Sequence, residues 1–198
     1  MRFRRFFCLL LAVLALCSLA PETGRAEPVV YFTSVNDQLL PDLRDDTMPF
    51  WSGGRLYVPD IAVSGTDLGV FYARSRDKKT AVVYRQGSAL TFDLSTGTTA
   101  DQNGRLYDSP AILRGDTVFL PVELLTQFFS LDYSYTRVNY GYLVRLKSDA
   151  VVLSDAKFIE AASSAMAQRY TEYMKTHDGD GDVNDIPNIN TDDSVDRA

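Results

Sequence analysis

Four tyrosines lie close together in the second half of the chain and could form a binding surface. Tyr133 and Tyr135 precede an expected turn, and Tyr140 and Tyr142 follow it. Because side chains alternate between the two faces of a strand, pairing Tyr135 with Tyr140 in a hairpin places all four rings on one face. Such a face could bind sugar rings or a peptide. The alternative is that it packs beneath a helix with its hydroxyl groups at the edge.

Alternating aspartates near the C-terminus resemble part of a calcium site. Asp178, Asp180 and Asp182 are spaced like the first ligands of a calcium loop, where carboxylates converge on one hard cation. The EF-hand pattern then fails, because Val183 stands where glycine is required and Ile189 where glutamate is required. The alternative is a solvated acidic tail over residues 177–198, which contains no aromatic residue.

The small number of histidine and cysteine residues limits the kinds of catalytic and metal site that the chain can form. His177 is the only histidine, and both cysteines, Cys8 and Cys17, lie in the first 20 residues. A multi-histidine metal centre, a Ser–His–Asp triad and a thiol nucleophile are therefore not expected in the folded part. No pair of aspartates has a spacing that indicates a catalytic dyad. We expect a protein without enzymatic activity and without a cofactor.

The N-terminal segment has the pattern of an export signal. Residues 1–5 include three arginines, and residues 6–20 form an apolar run that ends in small residues. This run is shorter than the ~20 residues that a bilayer-spanning helix needs. We predict a signal peptide at 1–20, with cleavage after Ala20 or alternatively after Ala26. A lipoprotein anchored at Cys17 is a further alternative, although Leu16 stands where a small residue is expected. The exported protein would be secreted or held in the cell envelope, without a membrane span after cleavage.

The charge balance disfavours nucleic acid as a partner. Removal of residues 1–20 leaves 17 basic against 26 acidic residues, a net charge of −9. Such a chain has no basic stripe and would be repelled by a phosphate backbone.

One sequence pattern occurs twice, 62 residues apart, and indicates an internal repeat. Each copy has a glycine turn, a short apolar strand and a proline that ends the strand and can begin a helix. After the second proline, residues 122–129 have the apolar spacing of a two-turn helix. Ser64-Gly65 interrupts the same stretch in the first copy. The aligned pairs are Gly53 with Gly115, Leu56 with Val118, Tyr57 with Phe119, Val58 with Leu120, and Pro59 with Pro121.

Each copy is followed by an expected hairpin, which leads to a fold class. The hairpins pair residues 69–74 with 80–85, and residues 131–135 with 140–147. We therefore predict an α+β domain over residues 28–148, built from two strand–helix–hairpin repeats around short antiparallel sheets. One amphipathic helix over residues 154–176 and the disordered acidic tail follow it.

The repeated run resembles the copper amine oxidase N-terminal-like domain, also called a stalk domain. The residues that carry the resemblance are Gly-Gly-Arg-Leu-Tyr-Val-Pro at 53–59, Leu68-Gly69, and Leu-Arg-Gly-Asp-Thr-Val-Phe-Leu-Pro at 113–121. The resemblance implies a secreted bacterial protein, in which such a domain often precedes a separate enzymatic or cell-wall domain, and it implies no catalytic activity.

A second likeness concerns the oxidases themselves. Residues 136–140 resemble their cofactor-forming motif, T-x-x-N-Y. However, Gly141 replaces the following acid, and the chain lacks the three histidines that bind copper. Asn139 and Gly141 suit a hairpin turn instead.

Together these observations predict a secreted, non-catalytic module of the cell envelope that acts as a scaffold or adhesion domain. Its partner would be a cell-wall polysaccharide or another envelope protein. The alternative is an accessory or truncated N-terminal region of a larger secreted enzyme, such as a polysaccharide deacetylase.

Overall fold

Strands dominate the computed structural model, which describes residues 29–41, 43–149 and 152–177. Of these residues 41% are in strands and 23% in helices. The predicted α+β class of strand–helix–hairpin repeats is therefore wrong. The helical elements within the described ranges are a 3₁₀ turn (Asp60–Ala62), helix α1 (Val122–Phe129) and helix α2 (Asp155–His177).

Three sheets build the domain. In spatial order, the first sheet contains β12 (Asp132–Val138), β13 (Gly141–Lys147), β1 (Val30–Val35) and β2 (Gln38–Leu39). The second sheet contains β10 (Ile112–Arg114), β11 (Thr117–Pro121), β4 (Arg55–Pro59) and β3 (Phe50–Ser52). The third sheet contains β5 (Phe71–Arg74), β6 (Thr80–Arg85), β7 (Ser88–Asp93), β8 (Thr98–Asp101) and β9 (Leu106–Tyr107).

The two copies of the repeated pattern meet in the second sheet. Strands β4 and β11 pair antiparallel, with Val58 opposite Leu120 and with Tyr57 opposite Pro121. Positions 62 residues apart are thus related by a local twofold axis through the pair of Val58 and Leu120. The outer strands β3 and β10 obey the same offset, so the sheet consists of two equivalent hairpins.

The copies differ after the proline, and this difference overturns the predicted architecture. Pro121 leads into the two-turn helix α1, as its spacing predicts. Pro59 leads only into the 3₁₀ turn. Ser64 and Gly65 have low helix propensity, and the Ser64 hydroxyl donates to the carbonyl oxygen of Asp60, which closes the turn.

The first sheet separates two regions of the core. Helix α2 packs on one face, where Val30, Phe32 and Leu143 contact Phe158 and Met166. The opposite face belongs to the main core, which all three sheets and α1 share; it includes Val35, Val144, Leu146, Leu56, Leu120, Phe92 and Phe129. Neither helix of the described chain is long and apolar enough to cross a membrane.

Gly141 sets the register of the first sheet. It lies opposite Val30 where the parallel pairing of β1 and β13 begins. Its φ is 147°, and a Cβ atom there would lie 2.0 Å from the carbonyl oxygen of Val30. Since β13 must start at this glycine, the hairpin turns at residues 139–140. Tyr135 therefore lies opposite Val144, and its predicted pairing with Tyr140 is wrong.

A buried arginine connects three segments around this sheet. Arg145 on β13 is fully buried, and its Nε atom donates to the carbonyl oxygen of Asn36 at 2.8 Å. Its two terminal nitrogens each lie 2.6 Å from a carboxylate oxygen, one of Asp37 and one of Asp155. A further hydrogen bond of 2.9 Å reaches the carbonyl oxygen of Leu153. The guanidinium group thus joins the β1–β2 turn and the start of α2 to the centre of the sheet.

Candidate functional site

Two of the four predicted binding tyrosines form part of an aromatic stack inside the fold. Tyr135 and Tyr142 are nearly parallel, with ring centroids 4.8 Å apart and an interplanar angle of 8°. Tyr142 also stacks on Tyr31 at 5.5 Å, and Trp51 meets Tyr135 edge-on at 5.6 Å. Burial raises the pKa of the Tyr135 hydroxyl well above its ordinary value. The ring faces are thus occupied by one another.

Tyr133 lies on the same face of the hairpin and contacts the repeat helix. Its hydroxyl donates to Oε1 of Glu123 on α1 at 3.1 Å. Burial, followed by the charge and the hydrogen bond of Glu123, raises the pKa of Tyr133 to about 12. This tyrosine occupies the position that the alternative interpretation described, beneath the helix with its hydroxyl at the edge.

Tyr140 does not share that face, so the prediction that all four rings lie on one face of the hairpin is wrong. It lies in the turn between β12 and β13, and its ring stacks on Tyr170 of α2 at 4.8 Å. The physical reason is the register set by Gly141, which excludes Tyr140 from the strand.

The predicted calcium ligands Asp178, Asp180 and Asp182 lie outside the described residues. Within residues 29–41, 43–149 and 152–177, no group of three histidine, cysteine, aspartate or glutamate side chains is placed to hold a metal ion.

A cleft of about 520 Å³ separates the loop at residues 43–46 from the last turns of α2. At its edge, the Tyr173 hydroxyl donates to Asp45 Oδ1 at 2.7 Å. His177 Nε2 lies 3.1 Å from the other oxygen of the same carboxylate, and its ring stacks on Tyr173 at 3.9 Å. Burial lowers the pKa of His177, but hydrogen bonds to the Tyr173 carbonyl and to Asp45 outweigh it and leave the pKa raised. When the imidazole is protonated, its two ring nitrogens can donate to the Tyr173 carbonyl and to Asp45, and the ring then joins the end of the helix to the loop.

The solvent side of the third sheet is a further candidate binding surface; we call it the outer sheet face. Directly paired residues of antiparallel strands point to the same side, so the register defines three rows across the sheet. The rows are Ala73, Val82, Thr91, Ala100 and Leu106; Phe71, Tyr84 and Ala89; and Thr80, Asp93 and Thr98.

The outer sheet face exposes aromatic and aliphatic side chains. Phe71 and Tyr84 are 45% and 43% exposed, and Leu106 is 71% exposed. The rings of Phe71 and Tyr84 form a cross-strand stack with centroids 5.6 Å apart. A half-solvated antiparallel sheet ordinarily presents polar residues to water, so exposed aromatic and small apolar residues here indicate a contact surface.

Charge is nearly absent from the same surface. Asp93 is the charged member of the three rows, and its Oδ1 accepts hydrogen bonds from the backbone N–H groups of Ser95 and Thr96 at 2.8 and 3.1 Å. These bonds lower the pKa of Asp93 and turn its carboxylate into the β7–β8 turn. Hydroxyl groups supply the remaining polarity, notably those of Thr91 and Tyr84.

Sequence reasoning did not single out the outer sheet face or the cleft beside α2. Residues 70–73 and 81–84 are almost all apolar, so the alternation that would distinguish a covered face from an exposed one is missing. Asp45 and His177 are 132 residues apart, and no local signal connects them.

Comparison of the chain with models of known protein families, with curated proteins and with solved structures gives no match. The resemblance to copper amine oxidase N-terminal-like domains therefore stays a prediction, based on the residues at 53–59 and 113–121.

Proposed function

We propose that this chain is an exported, non-catalytic module of the cell envelope that acts as an adhesion or scaffold domain. The observation that supports the proposal best is the outer sheet face, because it offers a broad contact surface with exposed rings and almost no charge. The export pattern of residues 1–20 supports an extracytoplasmic location.

The arrangement of the fold is consistent with a binding role for this surface. The inner side of the third sheet contributes Ala81, Val83, Leu90 and Phe92 to the main core, and each is fully buried. The buried inner side chains thus hold in place the strands that carry the outer side chains, and a ligand can bind to the outer side without rearrangement of the core.

A sedimentation experiment tests the proposal. The full chain is expressed in a bacterium that processes export signals, and the exported protein is mixed with purified bacterial cell-wall material and centrifuged. We expect the protein to pellet with the wall, and to do so in high salt as well, because an uncharged surface gains little from ionic attraction.

Single substitutions show which surface of the protein binds the cell-wall material. Phe71→Ala and Tyr84→Ala are expected to reduce the pelleted fraction. Leu113→Ala is the matched control, because Leu113 is 45% exposed but belongs to the second sheet. Tyr140→Ala tests the tyrosine hairpin separately. Wild-type protein that stays in the supernatant at every salt concentration would contradict the proposal.

A further inference from the structure

We infer that the ligand of the outer sheet face is an uncharged, extended glycan strand of β-linked sugars. The inference rests on the proposed function and names the class of molecule that this surface binds. It follows from the charge, the shape and the hydrogen-bonding groups of the three rows.

The charge of the face selects against ionic ligands. Asp93 lies in the row beside the β7–β8 turn, and the central row of Ala73, Val82, Thr91, Ala100 and Leu106 contains no group that could pair with a charged partner. A charged group placed against such a surface would lose water and gain no counter-charge, which is unfavourable. An uncharged ligand avoids this cost.

The small side chains of the face favour an extended glycan chain over a protein as the partner. Between the aromatic pair and Leu106, the side chains are small: Ala73, Val82, Thr91 and Ala100 form one row across five strands. Protein interfaces depend on a few large side chains that fill pockets, whereas this row consists mainly of small side chains. A β-linked glycan is an extended ribbon with broad apolar faces, and it can lie along such a row.

The polar groups of the face match those of a sugar. The hydroxyls of Thr91 and Tyr84 can each donate and accept hydrogen bonds, as sugar hydroxyls do. Phe71 and Tyr84 cover part of each other by stacking, and the parts of the two rings that stay exposed provide apolar surface for the C–H groups of a pyranose ring. Apolar contact with a few hydroxyls at its margin is the usual composition of a small-molecule site.

The test is a calorimetric titration of the exported protein with three oligosaccharides. The probes are cellohexaose and chitohexaose, which are uncharged and β-linked, and hexagalacturonate, which is anionic. We expect both uncharged probes to bind and the anionic probe to give no heat. Phe71→Ala and Tyr84→Ala should each weaken binding about tenfold, since a few aromatic residues dominate contacts of this kind.

Two further variants separate binding from folding. Thr91→Arg places a charge in the centre of the exposed face and should abolish binding while circular dichroism and the thermal transition stay unchanged. Leu113→Ala should bind like the wild type, because its side chain lies on another sheet.

Three results would overturn the glycan inference. The first is equal binding of hexagalacturonate, which would show that charge does not matter. The second is no binding of any oligosaccharide while the protein still pellets with cell-wall material; that result leaves the adhesion proposal standing and points to a protein partner. The third is a concentration-dependent dimer that Tyr84→Ala dissociates, which would show that a second copy of the chain covers the face. Failure of both the titration and the sedimentation experiment would refute the proposed function as well.

Discussion

Replacement of Arg145 by methionine should destabilise the fold severely, because it removes the buried cation that pairs with Asp37 and Asp155 and leaves Asp155 only the more distant Lys147, at 3.6 Å. The side chain of Arg145 is 0% exposed, whereas those of Asp37 and Asp155 are 39% and 33% exposed. Methionine removes the four hydrogen bonds of the guanidinium group and its cation–π contact with the Phe158 ring, while its flexible apolar side chain can still pack in the space that the arginine occupied.

The magnitude follows from the exposure of the partners. Removing one member of a fully buried ion pair costs roughly 3–5 kcal/mol, because the remaining charge is buried without compensation. Asp37 and Asp155 are each partly hydrated, so we place Arg145→Met at the lower end, about 3 kcal/mol. For a chain of this size, that loss corresponds to a decrease in Tm of about 6–12 °C.

The assay is urea unfolding followed by circular dichroism, with thermal unfolding in parallel. Lys78→Met is the control, because Lys78 pairs with Asp116 at 2.7 Å on an exposed turn, and such pairs contribute little. The triple variant Asp37→Asn, Arg145→Met, Asp155→Asn should recover part of the loss, since it buries no unpaired charge. A loss below about 1 kcal/mol for Arg145→Met, at unchanged m-value, would refute this reasoning.

Three other predictions test the same part of the molecule. Gly141→Ala should lower the free energy of unfolding by about 3 kcal/mol or more, because the added Cβ atom would collide with the Val30 carbonyl. The same variant should make the amides of β1 exchange faster with solvent. Gly104→Ala is the control and should cost far less, since a Cβ atom there meets no atom within 4 Å. His177→Gln should lower the free energy of unfolding below pH 6.5, and the difference from wild type should vanish as pH rises through the raised pKa of His177. A difference that stays constant across that range would show that the protonated imidazole does not stabilise the contact with Asp45. Burial raises the pKa of Asp155, but Arg145, Ser134 and Lys147 together outweigh it and leave the pKa below its ordinary value. The deficit of Asp155→Asn at neutral pH should therefore disappear as pH falls through that lowered pKa. Urea unfolding at a series of pH values measures both effects.

The local elements of this fold can be predicted from the sequence, because their causes are local. Helix α1 begins after Pro121 and its apolar residues recur with helical spacing, so the predicted range 122–129 matches the structure. Helix α2 was predicted at residues 154–176 and occupies Asp155–His177. The positions of both helices depend on residues within a few positions of each element.

The fold class and the hairpin register could not be predicted, since their causes are distant in sequence. The turn between β12 and β13 depends on the approach of Gly141 to Val30, which lies 111 positions earlier in the chain. The excess of β-structure comes from the failure of the first copy to form a helix and from strands β7–β9, which extend the third sheet. The turns between these strands can be recognised in the sequence, but the sheet to which the strands belong cannot.

The candidate binding residues likewise could be recognised in the sequence only in part. The tyrosines of the second hairpin attract attention because they are close together in the sequence, yet Tyr133 and Tyr135 pack against the main core and Tyr140 stacks on α2. Phe71 and Tyr84 are apolar residues in apolar strands, and only the assembled sheet shows which side the core covers.

The parallel pairing of β1 and β13 has a mechanical consequence. These are the first and last strands of the described chain, they lie side by side, and they point in the same direction. A force that pulls the start of β1 away from the end of β13 acts along both strands in opposite senses. The backbone hydrogen bonds between the two strands then bear the load together instead of opening one after another. Stretched between the start of β1 and the end of β13, the first sheet separates only when the whole strand pair slides apart.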